Sequence, residues 1–304
     1  MMQTSPSAPP VVILNPASNR GNMDRFRHLV RSRAEAEGAE YVESQRRGDA
    51  SDVARRAAET GRGVVVVGGD GSINEVVNGL LAAQQRVPLG IVPAGSGNDF
   101  ACNTLGLPRD TAQAVERAFT GTPMDADAGI ANGRYFANSF SVGLDADVTV
   151  ASEHLKRFPF MTGTTLYYTS SLQRLFFGYR KCPWLTLTID GLAVEGPEVS
   201  RHVLVAVMNG PTYGGGFRIN PKANHTDGIF DVCSIRYISR LRAMTLLPVV
   251  KRGAHENEPE VRFYHGQTLG IDCPTGVNAQ MDGETLRDTH YDVRVLPAAL
   301  FVRV

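Results

Sequence analysis

Val64-Val65-Val66-Val67-Gly68-Gly69-Asp70-Gly71-Ser72-Ile73-Asn74-Glu75 decides the fold of this chain. Four β-branched residues form a buried strand that runs into a Gly-Gly-Asp-Gly turn. The turn runs straight into a helix, because Ile73, Val76, Val77, Leu80 and Leu81 recur at the spacing of one apolar helix face. Such a bare loop at a helix N-terminus suits a phosphate, since outward N–H groups and the helix dipole both favour negative charge. Asp70 adds a carboxylate, which an anion site would avoid unless a cation is also present. A nucleotide with Mg²⁺ meets both demands.

Outward from this stretch, residues 1–127 read as alternating strands and helices, the pattern of an α/β domain with a parallel sheet. Strands are expected at Val11–Leu14, Val64–Val67 and Pro88–Val92, and helices at Met23–Glu37, Asp49–Thr60, Ile73–Leu81 and Thr111–Phe119. Each strand ends in a special turn: Asn15-Pro16-Ala17-Ser18, then Gly68–Gly71, then Pro93-Ala94-Gly95-Ser96-Gly97-Asn98-Asp99. Ligands of open α/β sheets bind outside the carboxyl ends of the strands. Three such turns in register therefore point to one binding crevice, where a single glycine turn would not.

After Asp127 the texture changes. Strands are expected at Tyr135–Val142, Trp184–Ile189, Val203–Met208, Phe230–Ile235, Val261–Tyr264, Thr268–Ile271 and Tyr291–Leu296. Gly, Asn and Asp turns separate many of them, which predicts an all-β C-terminal sandwich over about 128–290. A helical insert at 155–177 interrupts it, and the last strand, about 291–304, is a candidate to return to the first domain. The 304 residues suffice for two cores. Net charge is zero, so no global field draws in nucleic acid. The four cysteines are scattered without a CxxC pair, which suggests neither zinc nor a disulfide framework and fits a reducing compartment. No secretory signal and no run long enough to span a bilayer is present, so a soluble, cytoplasmic protein is expected.

The chain lacks GxxxxGK[ST], a GxGxxG opening a βα unit, the HRD and DFG elements of protein kinases, and GxSxG. Instead Gly68 through Leu80 resembles the signature of the diacylglycerol kinase catalytic-domain family, which includes bacterial lipid kinases and the sphingosine and ceramide kinases. Three further blocks resemble the same family in the same order. They are Pro93–Ala101; Asn209-Gly210 through Tyr213-Gly214-Gly215-Gly216 with Pro221, Ala223 and Asp227-Gly228; and Gln280-Met281-Asp282-Gly283-Glu284. The resemblance implies a nucleotide domain, a β-sandwich and ATP in the cleft between them. GGDG alone is shared with NAD kinases.

Roles follow from chemistry and from the resemblance. Gly68, Gly69 and Gly71 let backbone approach phosphate, and Ser72 is placed to cap the helix. Asn74 and Glu75 either reach the nucleotide or complete a capping network. Gly95, Ser96 and Asn98 form the second wall, with Asn15 and Ser18 matching the family's first turn. Asp70 is expected to meet the nucleotide Mg²⁺. Asp282 is expected to act as general base, with Glu284 beside it on the same face. On residues alone, Asp282-Gly283 also reads as a plain hairpin turn. By family analogy Asp227 is a ligand of a second, structural Mg²⁺, with backbone carbonyls near Asn224 and Ile229.

The resemblance thus implies an ATP- and Mg²⁺-dependent lipid kinase acting on a hydroxyl such as that of diacylglycerol. An NAD kinase-like enzyme and a non-catalytic nucleotide-binding regulator are the alternatives. Its partner is a lipid at the inner face of a membrane, and a homodimer is the default assembly. The cations and aromatics between Leu155 and Trp184 read either as a helix on an anionic membrane or as one packed on the sandwich.

Overall fold

The structure is a computed structural model and describes residues 8–83, 85–148, 168–174, 179, 182–194 and 199–304. The chain divides into one unit of residues 1–126 with 298–304 and a second of Asp127–Pro297.

In the first unit, β1 (Val11–Leu14), β2 (Glu40–Glu43), β3 (Val64–Gly68) and β4 (Pro88–Pro93) are parallel. Helices α1 (Asp24–Ala36), α2 (Asp49–Glu59), α3 (Asp70–Ala82) and α4 (Thr111–Thr120) connect or follow them. The chain's final residues add a further parallel strand, with Phe301 opposite Pro88 and Val302 opposite Leu89. The strand order is therefore the C-terminal strand, β4, β3, β1, β2. Because β3 is fully buried, all four valines are apolar, as a strand covered on both faces requires. One core joins Val12 and Leu14 of β1, Val65 and Val67 of β3 and Val92 of β4 to Val30, Ala34, Ala114, Val115 and Ala118 of the helices.

The second unit is built on β5 (Pro123–Ala131, which enters it at Asp127), β6 (Arg134–Phe136), β7 (Ser139–Gly143) and β8 (Trp184–Ile189). It continues with β9 (Leu192–Val194), β10 (Ser200–Met208), β11 (Phe230–Arg236), α5 (Arg240–Arg252) and β12 (Val261–Gly266). The long hairpin β13 (Thr268–Met281) and β14 (Glu284–Arg303) completes it. Within this unit the order is β12-β11-β10-β7-β13-β14, and these pairings are antiparallel. Alternation along β10 sends Val205 and Val207 into one core with Phe136, Phe140, Phe230 and Tyr291. It sends Leu204, Ala206 and Met208 into another with Ala243, Leu246 and Val250 of α5.

The sandwich is thus not all-β: α5 covers one sheet face. Tyr135–Val142 is not one strand but two, β6 and β7, separated by Ala137 and Asn138. Of the expected insert 155–177, residues 168–174 are helical and the remainder lies outside the described residues.

Candidate active site

In the first unit the turns after β1, β3 and β4 are bonded to one another. A Cβ on Gly68 would lie 2.4 Å from Ser72 Cβ, so glycine is what lets β3 meet the first turn of α3 so closely. A Cβ on Gly95 would lie 2.7 Å from Gly69 Cα, so the second and third turns touch backbone to backbone. Asn98 clips them together. It is left-handed at φ 55°, which asparagine tolerates well, and its N–H donates to Asp70 Oδ2 at 2.9 Å. Its Oδ1 accepts from Gly95 N and its Nδ2 donates to Gly95 O, both at 2.8 Å. The first turn joins through Asn15, whose Nδ2 donates to Ser72 Oγ at 2.8 Å, with Ser18 Oγ 3.5 Å from the same hydroxyl.

Helix α3 opens at Asp70, three residues before the periodicity begins, and its N-cap is Gly69. Ser72 is therefore not the cap. It sits within the first turn, and its buried hydroxyl ties α3 to β1's exit. Gly71 and Ser96 are exposed beside this knot. Asn74 is buried, and its carbonyl accepts from Asn78 Nδ2 at 2.9 Å. Glu75 points elsewhere: its Oε2 accepts from Gly48 N, the N-cap of α2, at 3.1 Å. A carboxylate at that helix end is favoured by the dipole.

In the second unit Asp282 and Gly283 form the two-residue turn between β13 and β14, both at positive φ (48° and 90°). This is the torsion pair that Asp-Gly hairpins favour. The Asp282 carboxylate is occupied by backbone donors. Its Oδ2 accepts from Ala137 N at 2.7 Å, and its Oδ1 from Asn138 N at 3.1 Å and Ser139 N at 2.9 Å. Glu284, the first residue of β14, stands half-buried next to that turn. Asn209 grips the same segment from the other side, donating through Nδ2 to Ala137 O at 2.7 Å and Asp127 O at 2.8 Å.

Asp127 extends the network to the 224–229 turn. Its N–H donates to His225 O at 2.7 Å, and its Oδ2 accepts from Gly228 N at 2.7 Å. Asp227 lies exposed on this turn, with Oδ1 accepting from Ile229 N at 3.2 Å. Asn224 Oδ1 accepts from Thr226 N and Oγ1. Among the described residues no cluster of three or more His, Cys, Asp or Glu side chains is poised for a metal, so a cation here would depend on carbonyl oxygens.

The second unit also holds an apolar pocket of about 80 Å³. Leu144, Val148, Leu204, Phe217, Ile238, Ala243 and Leu246 are among its walls, and Asp145 is its carboxylate. Burial pushes Asp145 up to about 6, outweighing the Ser141 and Tyr213 hydroxyls that favour its charged form. A chain of hydrogen bonds leads from it to the hairpin. Ser141 Oγ bonds to Asp145 Oδ2, Gln280 Nε2 donates to Ser141 Oγ at 2.8 Å, and Gly283 N donates to Gln280 Oε1 at 2.9 Å.

The structure therefore gathers Asn15, Ser18, Gly68, Gly69, Asp70, Ser72, Gly95 and Asn98, and bonds Asn74 to Asn78 within α3 and Glu75 to Gly48 at the start of α2. Sequence reasoning missed Asp127, Ser141 and Asp145. Asp127 stands where the sequence texture changes, a place that could have drawn notice; Asp145, with Asp147 two positions on, gives no comparable signal.

Residues 9–131 match the diacylglycerol kinase catalytic domain, and residues 138–304 match the YegS C-terminal NAD kinase beta sandwich-like domain. A diacylglycerol kinase of Mycobacterium tuberculosis is 31% identical, covering 95% of this chain and 93% of its own. A probable lipid kinase YegS-like protein of Chromohalobacter salexigens is 32% identical over 83% of this chain and 79% of its own. A solved Bacillus anthracis structure has the same fold, with TM-score 0.81 at 23% identity over 99% of this chain and 98% of the other.

Proposed function

The chain belongs to the diacylglycerol kinase catalytic-domain family and is a lipid kinase; from that premise we propose that it transfers the γ-phosphoryl group of ATP, with Mg²⁺, to the hydroxyl of diacylglycerol or a similar membrane lipid. The observation that carries the proposal is the Gly69–Gly95 contact clipped by Asn98 onto Asp70. It makes one cradle of two glycine-rich loops at a helix N-terminus, and that cradle fits a polyphosphate. Gly69, Gly71, Gly95 and Ser96 would line it. Asp70 is the oxygen donor that fits the nucleotide's Mg²⁺, which when bound would offset phosphate charge.

In the second unit the chemistry falls to Glu284. Asp282, expected from the sequence to be the base, has both carboxylate oxygens engaged by backbone N–H groups and acts in this reading as a positioning residue. Glu284, half-buried beside the Asp282-Gly283 turn, is our candidate to accept the lipid hydroxyl's proton. The apolar pocket takes part of an acyl chain, its volume being below the ~150 Å³ that admits a benzene-sized ligand. Asp227, with carbonyls of Asn224 and Ile229, is proposed as a second Mg²⁺ site, oxygen donors suiting that hard cation.

The test presents labelled ATP to a panel of lipid alcohols in mixed micelles, with NAD as a water-soluble acceptor. Label is expected in the lipid extract and only when Mg²⁺ is present. Label in NAD, or none in any lipid, would overturn the assignment.

A further inference from the structure

Asp145 stands on the helical stretch 144–148 as the carboxylate in the wall of the apolar pocket. Leu144 and Val148 of the same stretch line the pocket with it, as do Leu204 of β10, Phe217, and Leu246 of α5. Asp145 is only 6% exposed. Burying a carboxyl among aliphatic side chains costs free energy unless its oxygens are bonded. The fold holds it through buried hydrogen bonds that lead away from the pocket.

Two routes leave Asp145, and both end at the Asp282-Gly283 turn. The first crosses the β7–β13 ladder, where Ser141 lies directly opposite Gln280. Each donor along it is aimed towards Asp145. Gly283 N donates to Gln280 Oε1 at 2.9 Å, Gln280 Nε2 to Ser141 Oγ at 2.8 Å, and Ser141 Oγ to Asp145 Oδ2. Bonds aligned head to tail polarise one another, so a change at one end is felt at the other. The second route runs through Tyr213, whose hydroxyl acts on the Asp145 carboxyl. The carbonyl of its neighbour Thr212 accepts from Asn138 Nδ2 at 2.8 Å, and Asn138 N donates to Asp282 Oδ1 at 3.1 Å. Asp147 adds a third tie: its Oδ1 accepts from Asn278 Nδ2 at 2.6 Å, two residues from Gln280 on the same face of β13. Asn138, Ser141, Thr212, Tyr213 and Gln280 are all buried.

We propose that Asp145 is a positioning residue through which a chain in the apolar pocket fixes the Asp282-Gly283 turn, and with it Glu284. Hydrocarbon in the pocket keeps water from the Asp145 carboxyl, and hydrogen bonds strengthen as the local dielectric falls. The gain passes along the aligned bonds to Gly283, so the turn is held most firmly when a lipid is bound. Binding energy from a remote part of the substrate is thereby spent on orienting the reacting end. A lipid too short to fill the pocket forgoes this, and loses rate as well as affinity. The proposal rests on the reading of the protein as a lipid kinase whose pocket takes an acyl chain, but one arm of its test does not depend on catalysis.

The test compares kcat on dioctanoylglycerol with kcat on dibutyrylglycerol, in mixed micelles at saturating ATP. Wild type is expected to turn over the longer lipid about tenfold faster, and Ser141→Ala to erase that ratio while ATP affinity stays at the wild-type value. Asp145→Asn keeps an oxygen acceptor for Ser141 and should retain the ratio. A variant that merely loosens the fold would slow both lipids alike. Thermal unfolding verifies that each variant is folded; Ser141→Cys, close in size, takes the place of Ser141→Ala where that variant is not. Without ATP, dioctanoylglycerol should slow hydrogen exchange in the peptide covering Gly283 in wild type but not in Ser141→Ala. A wild type that phosphorylates no lipid yet shows this slowing would fail the kinase reading and support the coupling. Equal chain-length ratios in wild type and Ser141→Ala, or exchange at Gly283 that the lipid leaves unaltered, would overturn the coupling.

Discussion

Asp282 shows how a turn residue can be held by a distant segment. Its carboxylate accepts three backbone N–H groups of residues 137–139. Asp282→Asn leaves one oxygen for three donors and turns an amide N–H towards another. Leaving buried donors unmet costs about 1–3 kcal/mol. Asp282→Asn should therefore lower the unfolding temperature measurably, and reduce activity through displaced geometry. Asp145 gives a second prediction, with a definite sign. Burial raises it to about 6 from the ordinary carboxylate value, so the folded chain holds its proton more tightly than the unfolded chain does. The stability this lends is full below the ordinary carboxylate range and is lost as pH rises through about 6. Asp145→Asn keeps an acceptor for Ser141 without the charge. Thermal unfolding measured from pH 5 to pH 7 should show wild type losing stability as pH rises while Asp145→Asn does not, and an equal pH dependence in the two would contradict this. The glycines and Asn98 could be read from sequence because turn torsions restrict residue type. The backbone bonds of Asp282 could not be, because its donors come from a segment more than a hundred positions away.

Among elements, the cradle depends on the close approach of two loops. Gly95→Ala would set a Cβ 2.7 Å from both Gly69 Cα and Asn98 Oδ1, and one of these must move. Overpacking of this kind costs roughly 1–3 kcal/mol. Calorimetry should find ATP binding weakened about tenfold or more, a loss of roughly 1.4 kcal/mol, with the rest of the first unit intact. The strands β1, β3 and β4 were legible because fully buried parallel strands are unbroken apolar runs. The edge strand β2 was not, since Glu40-Tyr41-Val42-Glu43 is short and charged at both ends. Helix α5 was hidden by Pro248, which argues against a helix interior, although the helix tolerates it here. The β13–β14 hairpin shows in the sequence only as two short strands, because its polar, half-exposed middle lacks continuous alternation.

At the scale of the whole molecule, sequence texture separated an α/β unit from a β-rich one, since crossover helices and hairpins leave different spacing. It did not reveal the helix covering the sandwich sheet. The division of labour proposed for the two units is nucleotide in the first, and lipid chain and proton acceptor in the second. Glu284→Gln tests that division most directly, with lipid phosphorylation and ATP affinity measured on the same preparation. Removal of a general base should lower kcat by about 10²–10⁴-fold, while ATP affinity and unfolding temperature stay at wild-type values. An unaltered rate, or a loss of ATP binding that accounts for the lost rate, would contradict the account.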